Sequence, residues 1–206
     1  MANSITIQTL VDGPRNVVVK FEGVIDTADV EATGSLTSGA TTTGSPVITF
    51  ASSTAPVQGQ YLTGTGIPAS TYIKSVDSAT QATLSQNATA TNTGLTFTLV
   101  AGAIVVADPA ILDYINDSWK TRASKVRINK IVHNIEDTIS VNLFWEATTN
   151  VRIEELTGRG KGDYRHFGGL QNNAGTGVTG RIVATTQGWS ASGVLSFSII
   201  LEMVKQ

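Results

Sequence analysis

Apolar and polar residues alternate at a period of two in one short run after another, and nothing else constrains the fold of this chain as tightly. SITIQT (4–9) places Ile5 and Ile7 on one side of an extended backbone. TISVNLFWEA (138–147) does the same with Val141, Leu143 and Trp145, while Asn142 and Glu146 point the other way. An extended chain turns successive side chains to opposite faces, so this spacing predicts half-buried β-strands. VVVKFEGV (17–24), SKVRINKIV (124–132), VRIEEL (151–156), TGRIVATT (179–186) and VLSFSIILEMV (194–204) read the same way. The segment DGPRN (12–16) supplies Asp, Gly, Pro and Asn between the first two runs, which predicts a hairpin. Together these runs predict an antiparallel β-sandwich of jelly-roll-like character.

The charge distribution divides the chain. Between Ser35 and Val100 the charged residues are Lys74 and Asp77, and Thr and Ser fill 25 of 66 positions; the other 140 residues hold the remaining 28 charges. A step of that size predicts a separate module, residues 35–100, inserted into a host domain built from 1–34 and 101–206. A low-complexity linker has the same composition. Against it, PVITF (46–50), QYLTG (60–64), TYIKSV (71–76), ATLS (82–85) and LTFTLV (95–100) are short apolar runs bounded by turn residues, which predicts a small domain of five strands. One helical signal competes in ADPAILDYINDSWK (107–120). There Asp108 can cap, Pro109 can take the first helical position, and Ile111, Leu112, Ile115 and Trp119 approach a 3.6 period. A single short helix is expected at one end of the sandwich.

Composition also sets limits on function. Two hundred and six residues suffice to bury a core without a staple. The chain has no cysteine, which removes thiolate metal sites, thiol catalysis and disulfides. A net charge of −2 argues against nucleic-acid binding, which draws on a strong positive excess. The first residues have no basic leader or long apolar core, and no run of eighteen apolar residues occurs. Neither a secretory signal nor a membrane-spanning helix is expected.

The stretch TGRGKGDYRHFGGLQNNAGTG (157–177) holds seven glycines and invites a phosphate-binding reading. It fails that test. A Walker loop requires G-x-x-x-x-G-K-[ST], whereas Gly160–Lys161 is followed by Gly162 and the position five before Gly160 is Glu155. TGTGIPAS (63–70) has the first two glycines of a dinucleotide fingerprint and Ala69 in the third place, but β-runs flank it on both sides where the fingerprint needs a helix to hold the pyrophosphate. His133 and His166 are the two histidines and form no metal-ligand cluster. His166 lies near Asp163, yet no nucleophile pairs with them from sequence. Glu154–Glu155 and Glu136–Asp137 read as solvated strand ends, because adjacent strand residues face opposite ways. No catalytic, cofactor-binding or metal-binding residue is assigned. The glycines at 158, 160, 162, 168 and 169 are expected to permit positive φ in a long loop. Between them Arg159, Lys161, Tyr164, Arg165 and Phe167 offer the charged and aromatic anchors of a protein interface.

LVDGPRNVVVKFEG (10–23), NLFWEATTNV (142–151) and DYRHFGGLQNNAGTGVTGRIVATTQG (163–188) together resemble a group of small virion structural proteins of tailed bacteriophages. The inserted segment, with VQGQYLTGTGIPASTYIKSV, is similar to a β-module found within many phage surface and fibre proteins. The resemblance implies a non-enzymatic particle component, made in the bacterial cytoplasm and placed on the capsid surface. It implies a decoration or cement protein that stabilises the lattice of the major capsid protein, as a homo-oligomer with a trimer favoured. A tail or adaptor component whose module contacts the host surface is the alternative. Neither membrane nor cofactor enters either reading.

Overall fold

The computed structural model describes residues 3–26, 33–51, 55–100, 103–109, 124–188 and 193–206. Among them the chain is β-structure throughout, apart from one 3-10 turn at Arg165–Phe167. In chain order the strands are β1 (Ser4–Asp12), β2 (Asn16–Ile25), β3 (Gly34–Thr41), β4 (Val47–Ala51), β5 (Leu62–Thr63), β6 (Ile73–Ser78), β7 (Gln81–Leu84) and β8 (Asn92–Leu99). They continue with β9 (Ile104–Ala107), β10 (Val126–Ile135), β11 (Ser140–Trp145), β12 (Val151–Leu156), β13 (Arg159–Asp163), β14 (Ile182–Gln187) and β15 (Leu195–Lys205). The predicted helix over 107–120 falls almost wholly outside the described residues; of its signals, Ala107 ends β9, and Asp108 and Pro109 follow it.

Two antiparallel sheets form the sandwich, in the orders β1-β2-β15-β10-β13 and β12-β11-β14-β9. The pairs β11·β12, β10·β13, β9·β14 and β2·β15 are nested one inside the next, like a long ribbon hairpin wrapped around a core. That is jelly-roll connectivity. The period-two pattern explains why it closes: Val17, Val19 and Phe21 of β2, Ile199 and Leu201 of β15, and Val141, Leu143 and Trp145 of β11 are all buried in one cluster. Phe21 and Phe197 meet at 4.8 Å between ring centres. Each such side chain withdrawn from water stabilises by about 1.5–3 kcal/mol. The hairpin predicted at 12–16 is present, with the Gly13 amide donating to the Asn16 carbonyl at 2.8 Å.

The strands from Gly34 to Leu99 pair among themselves in a sheet of order β5-β8-β3-β4-β7-β6. They enclose their own cluster of Leu36, Ile48, Phe50, Leu62, Ile73, Leu84, Phe97 and Leu99. Six strands stand where five were expected. The additional one, β3, has Leu36 as its single large apolar residue and so shows almost no alternation. A third, smaller cluster joins module and host. Tyr61 and Tyr72 of the module pack on Val105, Phe144 and Val183, which lie on the outer face of the four-stranded sheet.

Candidate interaction edge

A sandwich leaves four strand edges, two on each side, and unpaired edge backbone invites pairing with another chain. On one side the module bonds to a backbone position of each. The side-chain amide of Gln58 imitates a neighbouring strand at Ile7 of β1: the Ile7 amide donates to Gln58 Oε1 at 2.8 Å, and Gln58 Nε2 donates to the Ile7 carbonyl at 3.1 Å. The next residue, Gly59, accepts from the Val105 amide of β9 at 2.9 Å. Gly59 sits at φ +85°, and a Cβ there would fall 2.4 Å from Ile104 Cγ2 and 2.7 Å from the Val105 carbonyl oxygen. The turn can therefore reach the edge only as glycine. A cleft of about 180 Å³ remains along this seam, lined by Ile7, Thr9, Tyr72 and Lys74 among others.

The seam is fastened by a partly buried charged cluster. Arg181, just before β14, donates from Nε to Asp108 Oδ2 at 2.8 Å, and from Nη1 to the Tyr61 hydroxyl at 3.2 Å and the Ser70 carbonyl at 3.4 Å. Its guanidinium also lies 5.2 Å from the centre of the Tyr72 ring. Tyr72 donates to Asp108 at 3.2 Å, and Tyr61 and Thr179 both donate to the Glu146 carboxylate. Burial, then the Glu146 hydrogen bond, raises the Tyr61 pKa; burial, then the Asp108 charge, raises that of Tyr72. Burial alone would lower the Arg181 pKa, but Asp108 and Tyr61 outweigh it and keep the guanidinium protonated. Phenols held neutral and carboxylates that accept from these partners make a structural lock rather than an acid–base pair. Sequence reasoning missed it because its members are up to 120 positions apart.

The opposite side of the sandwich carries edges β12 and β13, linked by Thr157–Gly158, and no strand among the described residues pairs with either outer edge. Here lies the glycine-rich stretch, and five of its residues, Arg159–Asp163, are strand rather than loop. Positive φ occurs at Gly158, Gly168 and Gly169, as expected, but not at Gly160 or Gly162. Those two are glycine for another reason. A Cβ on Gly160 would meet the His133 ring at 2.4 Å, and one on Gly162 would meet the Tyr164 hydroxyl at 2.4 Å. Two rings thus lie against the inner face of β13, leaving Arg159, Lys161 and Asp163 on the outer face.

The five residues predicted as anchors fall close together. Arg159 is exposed and donates to Asn134 Oδ1 at 2.8 Å; Lys161 is exposed. Tyr164 is half-buried and donates to Glu154 at 3.2 Å, and burial followed by the Glu154 charge raises its pKa. Arg165 is exposed but holds Asp163 in a two-pronged pair that keeps this carboxyl well below the usual range. Asp163 is accordingly committed to Arg165, and the His166–Asp163 base considered from sequence is not assembled. Phe167, at the tip of the 3-10 turn, is 86% exposed. Among the described residues no group of three or more His, Asp or Glu is placed to hold a metal ion, and no helix is long and apolar enough to cross a membrane. No protein-family model, no curated protein and no solved structure matches this chain.

Proposed function

We propose that this chain is a bacteriophage virion structural protein, a capsid decoration or cement protein that binds the major capsid protein lattice through its β12–β13 side and the adjoining turn. The observation that carries the reading is the asymmetry of the sandwich. One pair of edges is contacted by the module through Gln58 and Gly59, while no strand among the described residues pairs with the other, which adjoins a bare aromatic side chain. Aromatic residues and arginine are the types enriched in protein interfaces, and Phe167 with Arg165 supplies both on this exposed turn. The resemblance of the host segments to small virion proteins supports the same reading.

Electron microscopy of particles from the phage that encodes the chain tests it. Lattice-scale copy number on the head is the expected result. A single ring of copies at the tail would favour the adaptor or adhesion reading instead, and absence from the particle would sink both. A Phe167→Ala chain, added back to particles that lack the protein, should bind them more weakly with its own melting temperature unchanged.

A further inference from the structure

We propose that the β12–β13 side joins a second copy of this chain across a twofold axis parallel to the strands, β13 of each copy pairing antiparallel with β12 of the other. This rests on the reading of that side as a contact surface and names its occupant. The Ile135 amide donates to the Gly158 carbonyl at 2.7 Å, which sets the phase of the β10·β13 ladder. Gly158, Gly160 and Gly162 turn their backbone groups toward β10. In an antiparallel ladder the alternate residues Arg159, Lys161 and Asp163 then present N–H and C=O outward.

Charge selects the partner. β13 carries Arg159 and Lys161 followed by Asp163; β12 carries Arg152 followed by Glu154 and Glu155. The two strands run in opposite directions from the Thr157–Gly158 corner, so at equal height Arg159 and Lys161 match the Glu154–Glu155 end, while Asp163 and Arg152, level with each other, are already paired within the chain with Arg165 and Glu155. Within one chain the strands belong to different sheets, which pack about 10 Å apart. A twofold parallel to the strands lays β12 of one copy beside β13 of the other, at the roughly 4.8 Å spacing of paired strands, and brings the basic end of β13 level with the acidic end of β12 in both ladders. A twofold perpendicular to the sheets would instead pair β13 with itself and β12 with itself, bringing Lys161 near Lys161 and glutamates near glutamates. A ring built head to tail would need the β1 or β9 edge as acceptor, and Gln58 and Gly59 occupy those. Edge pairing is therefore twofold, and a trimer would have to use another surface.

Light scattering after size-exclusion chromatography of the full chain, over a dilution series, tests the proposal. A dimer is expected, weakened by salt because its pairs lie near solvent. Lys161→Pro removes an outward N–H and no bond to β10, so it should weaken the dimer by about tenfold or more. Lys161→Glu should do the same by charge, and it decides the matter if the proline variant fails to fold. Hydrogen exchange supplies a direct reading: the Lys161 amide should be protected in the concentrated wild-type chain and exchange freely on dilution. A monomer at every concentration, a trimer, or a dimer indifferent to Lys161→Glu would each overturn the pairing. A dimer absent from particles would sink the virion reading alone, and a monomer found on particles would sink the pairing alone.

Discussion

Arg181 shows how one side chain can tie two separately cored parts of a chain together. Its guanidinium touches the host through Asp108 and the module through Tyr61, the ring of Tyr72 and the Ser70 carbonyl. Replacing it with Met keeps the length but takes the Arg181 cation away from Asp108, whose side chain is 3% exposed. Breaking a buried pair from one side typically costs about 3–5 kcal/mol, so Arg181→Met should lower stability by that order in denaturant melts. Arg181→Lys should recover only part of it, since an ammonium cannot reach Asp108 and Tyr61 in one fork. The tyrosines give a second test. Tyr61, Tyr72 and Tyr164 all have pKa values raised from an ordinary 10.0. Unfolded tyrosine ionises at the lower value, so the stability from keeping these phenols neutral is complete below pH 10 and is lost as pH climbs above it. Ultraviolet titration should show most of the four tyrosines still protonated somewhat above pH 10, then ionising together as the chain unfolds. Early, independent ionisation of three of them would contradict the lock.

Strands with a clean alternation were legible because burial on one face and solvent on the other write themselves into the residue order, as in β2. β3 and β13 were not, because GSLTSGAT and RGKGD owe their place to backbone pairing and to room for neighbouring rings rather than to apolar side chains. Short β9 was hidden in a continuous apolar run, IVVA, whose period cannot be read. The charged and aromatic residues from Arg159 to Phe167 lie close in sequence and so were legible together, but the turn at Gln58 and Gly59 was not. Nothing local marks Gln58 as a surrogate strand, since its partners Ile7 and Lys74 belong to distant elements. That turn supports its own prediction. Gln58→Ala strips partners from the Ile7 amide and carbonyl and should cost about 1–3 kcal/mol, with faster exchange at the Ile7 amide. Gly59→Ala should destabilise comparably, by about 1–3 kcal/mol, because its Cβ meets packed atoms at a positive φ.

At the scale of the molecule, the module serves the sandwich as a cover. Gly34 and Leu99 are paired neighbours in the module sheet, so the chain enters and leaves the module at one point. Excising 35–98 with a short Gly-Ser join would leave the jelly-roll ribbon and its buried cluster, from Ile5 to Met203, intact in sequence except for Val57, which the module contributes. It would also remove Gln58 and Gly59 from the β1 and β9 edges, and Tyr61 and Tyr72 from Val105, Phe144 and Val183. The shortened chain would then present two open sides instead of one, plus a bare apolar strip on the outer face of the four-stranded sheet. Open edges beside exposed apolar surface propagate rather than close, because each copy can both offer and accept a strand. The excised chain should therefore keep a β-rich circular dichroism spectrum yet grow into large assemblies as concentration rises, seen by light scattering. If it stayed as small as the full-length protein, the module would have no part in sealing the sandwich, and the contrast between the two sides would lose its physical basis.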